Sequence, residues 1–144
     1  SSHDIQDGIL EPDDPDFEKK FRQLEQRGAL FRVNHRSWWA EELPSEAEYL
    51  EARANLERVH WNVDYIISHC CPSSIQDVFS GRMFKKDALT EFFDEVRQRC
   101  AFRYWFFGHY HGDKWCDARH RLIYRDIVPI EDAVSSSRNL LEAL

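Results

Sequence analysis

Apolar positions change their period twice in the second half of the chain, and each change predicts an element. Val63-Asp64-Tyr65-Ile66-Ile67-Ser68 is a short run rich in β-branched residues, closed by a turn at Pro72, and it predicts a buried strand over 63–68. Leu89, Phe92, Phe93, Val96 and Cys100 then recur at the helical spacing i, i+3, i+4, i+7, i+11. They predict an amphipathic helix over about 88–100, with Asp87 placed to cap its first turn. A second apolar and aromatic run, ending in Trp105-Phe106-Phe107, predicts a strand over about 102–107. A strand-helix-strand unit of this kind makes a right-handed parallel crossover, which brings the C-terminal ends of both strands to one edge of a sheet. Open α/β sheets place their ligands at that edge.

The first half reads as helices and loops. Residues 1–14 are acidic and carry turn formers. Phe17, Phe21 and Leu24 share a helical face, with Asp14 to cap, Pro15 for the first turn and Gly28 just past the end. Ser45-Glu46-Ala47-Glu48 is a capping box that opens a helix with Tyr49, Ala52, Leu56 and Val59 on one stripe. After the second strand, Leu122–Tyr124 and Ile127–Ile130 read as closing strands, with Pro129 favouring an edge position. The fold class is α/β, one domain over residues 1–134 followed by a tail at 135–144.

Composition narrows the function classes. The chain has 144 residues, 42% hydrophobic, which suffices for one core. Its formal net charge is −7, and its Lys and Arg are spread out, unlike a surface that tracks nucleic-acid phosphates. No apolar run approaches the roughly 20 residues that span a bilayer, and no signal-peptide pattern opens the sequence. No membrane partner is expected. Cys70, Cys71, Cys100 and Cys116 lack the spacing of a disulfide scaffold, which suggests a reducing cytoplasm. Ser1 opens the chain and Met83 is its one methionine, so residue 1 is not expected to be the natural start.

Candidate chemistry falls at the two strand ends. His69 follows the first strand directly, and Gly108-His109-Tyr110-His111 follows the second. In an extended or turning backbone His109 and His111 fall on the same side while Tyr110 points away. Neutral imidazole is the commonest metal ligand, and converging rings suit Zn, Mn, Fe or Ni. The crossover therefore predicts that His69, His109 and His111 meet. Tyr110 reads as a substrate contact or, more simply, as core packing. The same two readings apply to Trp38 and Trp39 beside Glu41-Glu42, with packing favoured. His35 reads as a loop residue, and His60 and His120 as surface or satisfied core residues.

Ile66-Ile67-Ser68-His69 with Pro72, followed by Trp105-Phe106-Phe107-Gly108-His109-Tyr110-His111, resembles the last two metal-ligand blocks of the calcineurin-like metallophosphoesterases. Ser1-Ser2-His3-Asp4-Ile5, Trp38-Trp39-Ala40-Glu41-Glu42-Leu43-Pro44-Ser45 and Leu122-Ile123-Tyr124-Arg125 are similar to further segments of a bacterial and phage-type branch. The resemblance implies a four-layer α/β/β/α sandwich and a hydrolase of phosphomonoesters or phosphodiesters using two divalent metal ions (Mn, Fe, Zn or Ni). It implies that His69 and His109 bind the second metal and His111 the first. The family's Asp-x-His, Gly-Asp-x-x-Asp and Gly-Asn-His blocks are absent; Asn34-His35 follows Val33 and lies after the Ser1–Ile5 landmark, a coincidence. The chain therefore resembles the C-terminal half of such an enzyme. Its expected partners are the N-terminal half and a phosphate ester, or a second copy covering the exposed sheet surface. Alone it is expected to turn over little or no substrate. The competing expectation is a non-catalytic domain holding one structural metal through His69, Cys70 or Cys71, His109, His111 and Cys116.

Overall fold

A computed structural model describes residues 8–81 and 84–130. Its N-terminal part pairs strand β1 (Ile9–Leu10) in parallel with β2 (Arg32–Val33) around helix α1 (Phe17–Gln26). The Asp14 carboxylate accepts from the Asp16 N–H and its carbonyl from the Phe17 N–H, while its side chain also pairs with Lys20. The helix ends where Gly28 enters the left-handed region at φ +60°. The Gly28 N–H donates to Glu25 O and the Ala29 N–H to Leu24 O, the paired bonds of a Schellman motif.

Beyond a 3₁₀ turn at Ala40–Glu42, helix α2 (Glu46–Arg58) starts on the capping box written in its sequence. Ser45 Oγ accepts from the Glu48 N–H, and the Glu48 carboxylate accepts from the Ser45 N–H at 2.7 Å. Its end repeats the Schellman bonds without a glycine. The His60 N–H donates to Glu57 O and the Trp61 N–H to Leu56 O, with His60 at φ +51°.

The second half builds a four-stranded sheet. Strand β3 (Tyr65–Ser68) leads through α3 (Ser73–Ser80) and α4 (Ala88–Arg99) to β4 (Tyr104–Phe107), then β5 (Lys114–Trp115) and β6 (His120–Leu122). The order is β3-β4-β6-β5, with β3, β4 and β6 parallel and β5 antiparallel to β6. The strand-helix-strand unit of the sequence reading is thus a parallel pair. Its register sets Ile66 beside Trp105 beside His120, and Ser68 beside Phe107 beside Leu122, all on one face.

That face carries the core. Trp105 is 0% exposed, and it packs with Phe107, Leu122, Ile75, Val96, Cys100 and Phe102. Phe93 of α4 meets Trp105 edge-on at 5.5 Å and Phe79 of α3 stacks on Phe107 at 6.2 Å, so both helices cover this side. Asp87 caps α4 by accepting from the Thr90 N–H. Asp94 of α4 accepts from the Ser73 and Ser74 hydroxyls and the Ser74 N–H, which closes the first turn of α3. The other face carries Tyr65, Ile67, Tyr104, Phe106 and Trp115, with Ile67 77% exposed on an edge strand.

The structure corrects two expectations from the pattern. Residues 127–130 form no strand: Ile127 is 99% exposed, Pro129 lacks a donor, and the closing strand lies earlier, at His120–Leu122. Helix α3, unannounced by the apolar period, occupies the segment read only as a turn at Pro72. The described residues make a mixed α/β fold of four α-helices and two small sheets. Ser1–Ile5, the domain boundary at 134 and the tail at 135–144 lie outside the described residues. Among the described residues, no helix is long and apolar enough to cross a membrane.

Candidate metal centre

Adjacent parallel strands in register end side by side, and their next residues inherit that proximity. Ser68 pairs with Phe107, the Gly108 N–H donates to His69 O at 3.0 Å, and His69 and His109 leave the sheet together. His69 Nε2 lies 3.0 Å from His109 Nδ1, the rings meeting edge-on with centroids 4.8 Å apart. His109 holds φ +68° and His111 φ +49°. Left-handed backbone costs a non-glycine residue about 1 kcal/mol or more, and such outliers gather at functional sites. Gly108 is not forced by crowding: an added Cβ there would meet Ile123 O at 3.5 Å and His69 O at 3.8 Å, ordinary contacts.

The strand end is pinned from below. Ser68 Oγ donates to Cys70 O at 2.6 Å and accepts from the Trp105 indole N–H at 2.7 Å. The hydroxyl joins the buried Trp105 to the backbone on either side of His69, and it fixes where the imidazole begins. Nothing in the spacing of the sequence marks Ser68 for this role, because its partner lies on another strand.

The donor pair can be tested against metal geometry. With metal–nitrogen bonds of about 2.0–2.1 Å, two nitrogens stand about 2.9 Å apart at a right angle and about 3.4 Å apart at the tetrahedral angle. The observed separation is close to the right-angle value, the geometry of octahedral ions such as Mn²⁺, Fe²⁺ and Ni²⁺. It is equally the length of an N–H···N hydrogen bond, which the metal-free pair can form. His111 does not join them. Its ring stacks on Tyr124 at 4.6 Å and 24°, and among the described residues no three His, Cys, Asp or Glu side chains are grouped to hold one ion. The structure thus brings His69 and His109 together and leaves His111 apart; the residues fit two positions of a metal's coordination shell.

Tyr110 turns inward. Its hydroxyl donates to Gln76 Oε1 at 2.9 Å, and its ring packs on Phe79, Phe84 and Phe107. It also borders a cavity of about 340 Å³ between Phe79, Phe84, Gly112, Lys114 and Leu122. Trp38 is buried beside the end of β2, where it bridges to Asn34, and Trp39 is half exposed beside the 3₁₀ turn. His35 sits in the exposed turn after β2, and His120 is 1% exposed with Nδ1 at 2.8 and 2.9 Å from the two Asp117 oxygens.

Two thiols are protonated near neutrality in the metal-free protein. Burial pushes the Cys71 thiol far above its ordinary range and the Cys116 thiol up to about 11.

One further residue next to the site was invisible in the sequence. The Asp113 carboxylate accepts from the backbone N–H groups of Tyr124, Arg125 and Asp126 at 2.7, 3.1 and 3.2 Å. It ties the loop after β6 to the turn that carries His111. Compared with protein-family models, curated proteins and solved structures, the chain matches none.

Proposed function

We propose that this chain is the C-terminal half of a metal-dependent phosphoesterase of the calcineurin-like kind, a hydrolase of phosphomonoesters or phosphodiesters working in the cytoplasm. The observation that carries this reading is the 3.0 Å approach of His69 Nε2 to His109 Nδ1 at the C-terminal ends of two adjacent parallel strands. Two imidazoles at that edge, on residues that follow Ile66-Ile67-Ser68 and Trp105-Phe106-Phe107-Gly108, match the ligand blocks that the sequence resembles.

In this reading His69 and His109 hold one divalent cation, His111 holds a second, and the metal is Mn, Fe, Zn or Ni. Such a pair of ions polarises phosphoryl oxygens and brings the pKa of bound water towards neutrality. The chain's own residues supply position. Ser68 and Trp105 fix the strand end under His69, and the turn at Gly108 directs His109 across to it. Tyr110, Trp38 and Trp39 are the aromatic candidates for substrate contact, Tyr110 through the wall it gives to the neighbouring cavity. The bridging carboxylates and the acid that protonates the leaving group would come from the N-terminal half. Two neutral nitrogens hold a divalent ion weakly by themselves.

The same reading extends to the fold. One sheet with helices α3 and α4 on one face is half of a four-layer sandwich. The face with Tyr65, Ile67, Tyr104, Phe106 and Trp115, together with the open edge of β3, is where the second sheet or a second copy of the chain would pack.

The test is hydrolysis of bis(p-nitrophenyl) phosphate with Mn²⁺ by two proteins, residues 1–144 and the chain extended through its upstream reading frame. The reading expects turnover by the extended chain alone, abolished by His109→Ala. Robust turnover by residues 1–144, or an inactive extended chain lacking the Asp-x-His, Gly-Asp-x-x-Asp and Gly-Asn-His blocks, overturns it.

A further inference from the structure

His111 stands apart from the other two imidazoles for a reason that its surroundings supply. The turn that carries it runs beside β6, where a Cβ added at Gly112 would lie 3.0 Å from the Leu122 side chain. The His111 ring lies flat on Tyr124, with centroids 4.6 Å apart and planes 24° from parallel. Tyr124 is itself held. Asp113, two residues after His111, takes the N–H groups of Tyr124, Arg125 and Asp126 on one carboxylate. Arg125 adds its guanidinium at 5.4 Å from the Tyr124 ring.

We propose that Tyr124, fixed by Asp113, is a latch that parks the His111 ring away from the His69–His109 pair, and that in residues 1–144 alone its release lets His111 complete a weak three-imidazole site for one cation, the same ring serving the second cation where the N-terminal half supplies the bridging carboxylates. This rests on the metal-binding reading of that pair. Asp113 and Tyr124 are positioning residues: neither touches the ion, and both act by setting where His111 can be. A ligand that is competent for only a fraction of the time lowers the observed affinity by that fraction. An aromatic stack adds about 0.5–1.5 kcal/mol, so freeing the ring corresponds to about a two- to tenfold gain in affinity.

The experiment uses residues 1–144 and the variants Tyr124→Leu, Tyr124→Phe and Asp113→Asn. The first readout needs no metal. Stacking shifts the His111 ring protons upfield in the NMR spectrum; Tyr124→Phe retains that shift, Tyr124→Leu removes it and Asp113→Asn reduces it. The second is calorimetric titration with Co²⁺, where Tyr124→Leu and Asp113→Asn bind about two- to tenfold more tightly than the parent, and Tyr124→Phe binds as the parent does. Parent-like or weaker Co²⁺ affinity in Tyr124→Leu, with the ring shift lost, overturns the latch and leaves the metal site standing. Absence of Co²⁺ binding in the parent and in every variant overturns both the latch and the metal-binding reading.

Discussion

Removing one hydroxyl from beneath His69 should cost more than its size suggests. Ser68 Oγ is the acceptor for the indole N–H of Trp105, a residue with 0% exposure, and in Ser68→Ala that donor stays buried with its partner gone. Leaving a buried donor unsatisfied costs about 1–3 kcal/mol, and the bond from Ser68 Oγ to Cys70 O is lost as well. The cavity left by one oxygen is small, so the polar loss dominates. With a urea slope of about 1.5 kcal/mol/M, the unfolding midpoint should fall by about 0.7–2 M at unchanged slope. Tryptophan fluorescence follows the transition, and Ser68→Thr, which keeps the hydroxyl, should recover most of the loss. A midpoint within about 0.2 M of the parent would refute the claim that this hydroxyl pins the strand end.

Two further outcomes test the fold. His60→Gly should stabilise the protein by about 0.5–1 kcal/mol, because His60 occupies the left-handed C-terminal position of α2 at φ +51° that glycine adopts freely; a thermal midpoint raised by a few degrees is expected, and a lowered one counts against the motif. Acid should expose the Asp117–His120 pair. Burial pushes the Asp117 carboxyl up, but the hydrogen bonds from the His120 ring and from the N–H groups of Arg119 and His120 outweigh it and hold the carboxyl at about 2, below its ordinary 3.8. A depressed carboxyl contributes stability above its unfolded value and loses it as pH falls through the folded one. The parent should therefore weaken between pH 3.8 and about 2, and Asp117→Asn, weaker at neutral pH, should show a flatter acid limb over that window in urea midpoints.

What the sequence revealed follows from how local each signal is. The capping box at Ser45 and Glu48, the Asp87 cap and the Phe92-Phe93-Val96 stripe are complete within one turn or two of helix, and the structure carries all of them. The parallel pairing of β3 with β4 was legible because two apolar runs flank a helix, a connection with few topological solutions. Helix α3 was not legible, since the group that closes its first turn is Asp94, twenty residues away on α4. The strand expected at Ile127–Ile130 does not form, since an apolar run alone does not say where its backbone donors and acceptors would pair. Within the candidate site, histidine spacing brought out His69, His109 and His111 together, whereas Ser68, Asp113 and Tyr124 act through partners on other strands and loops. His111 shows the limit of the period-two argument: with φ +68° at His109 and +49° at His111, the turn is no longer an extended chain, and alternation stops assigning sides.

The central claim is that His69 and His109 form one cation site, and imidazole nitrogen spectra of the protein during a Mn²⁺ titration test it most directly. Paramagnetic Mn²⁺ broadens the signals of groups next to it. The account predicts that the His69 and His109 rings broaden together at substoichiometric Mn²⁺, well before those of His35, His60 and His120, and that His69→Ala protects His109 at the same metal concentration. Uniform broadening across all exposed histidines, or broadening of His109 that survives His69→Ala unchanged, would contradict it.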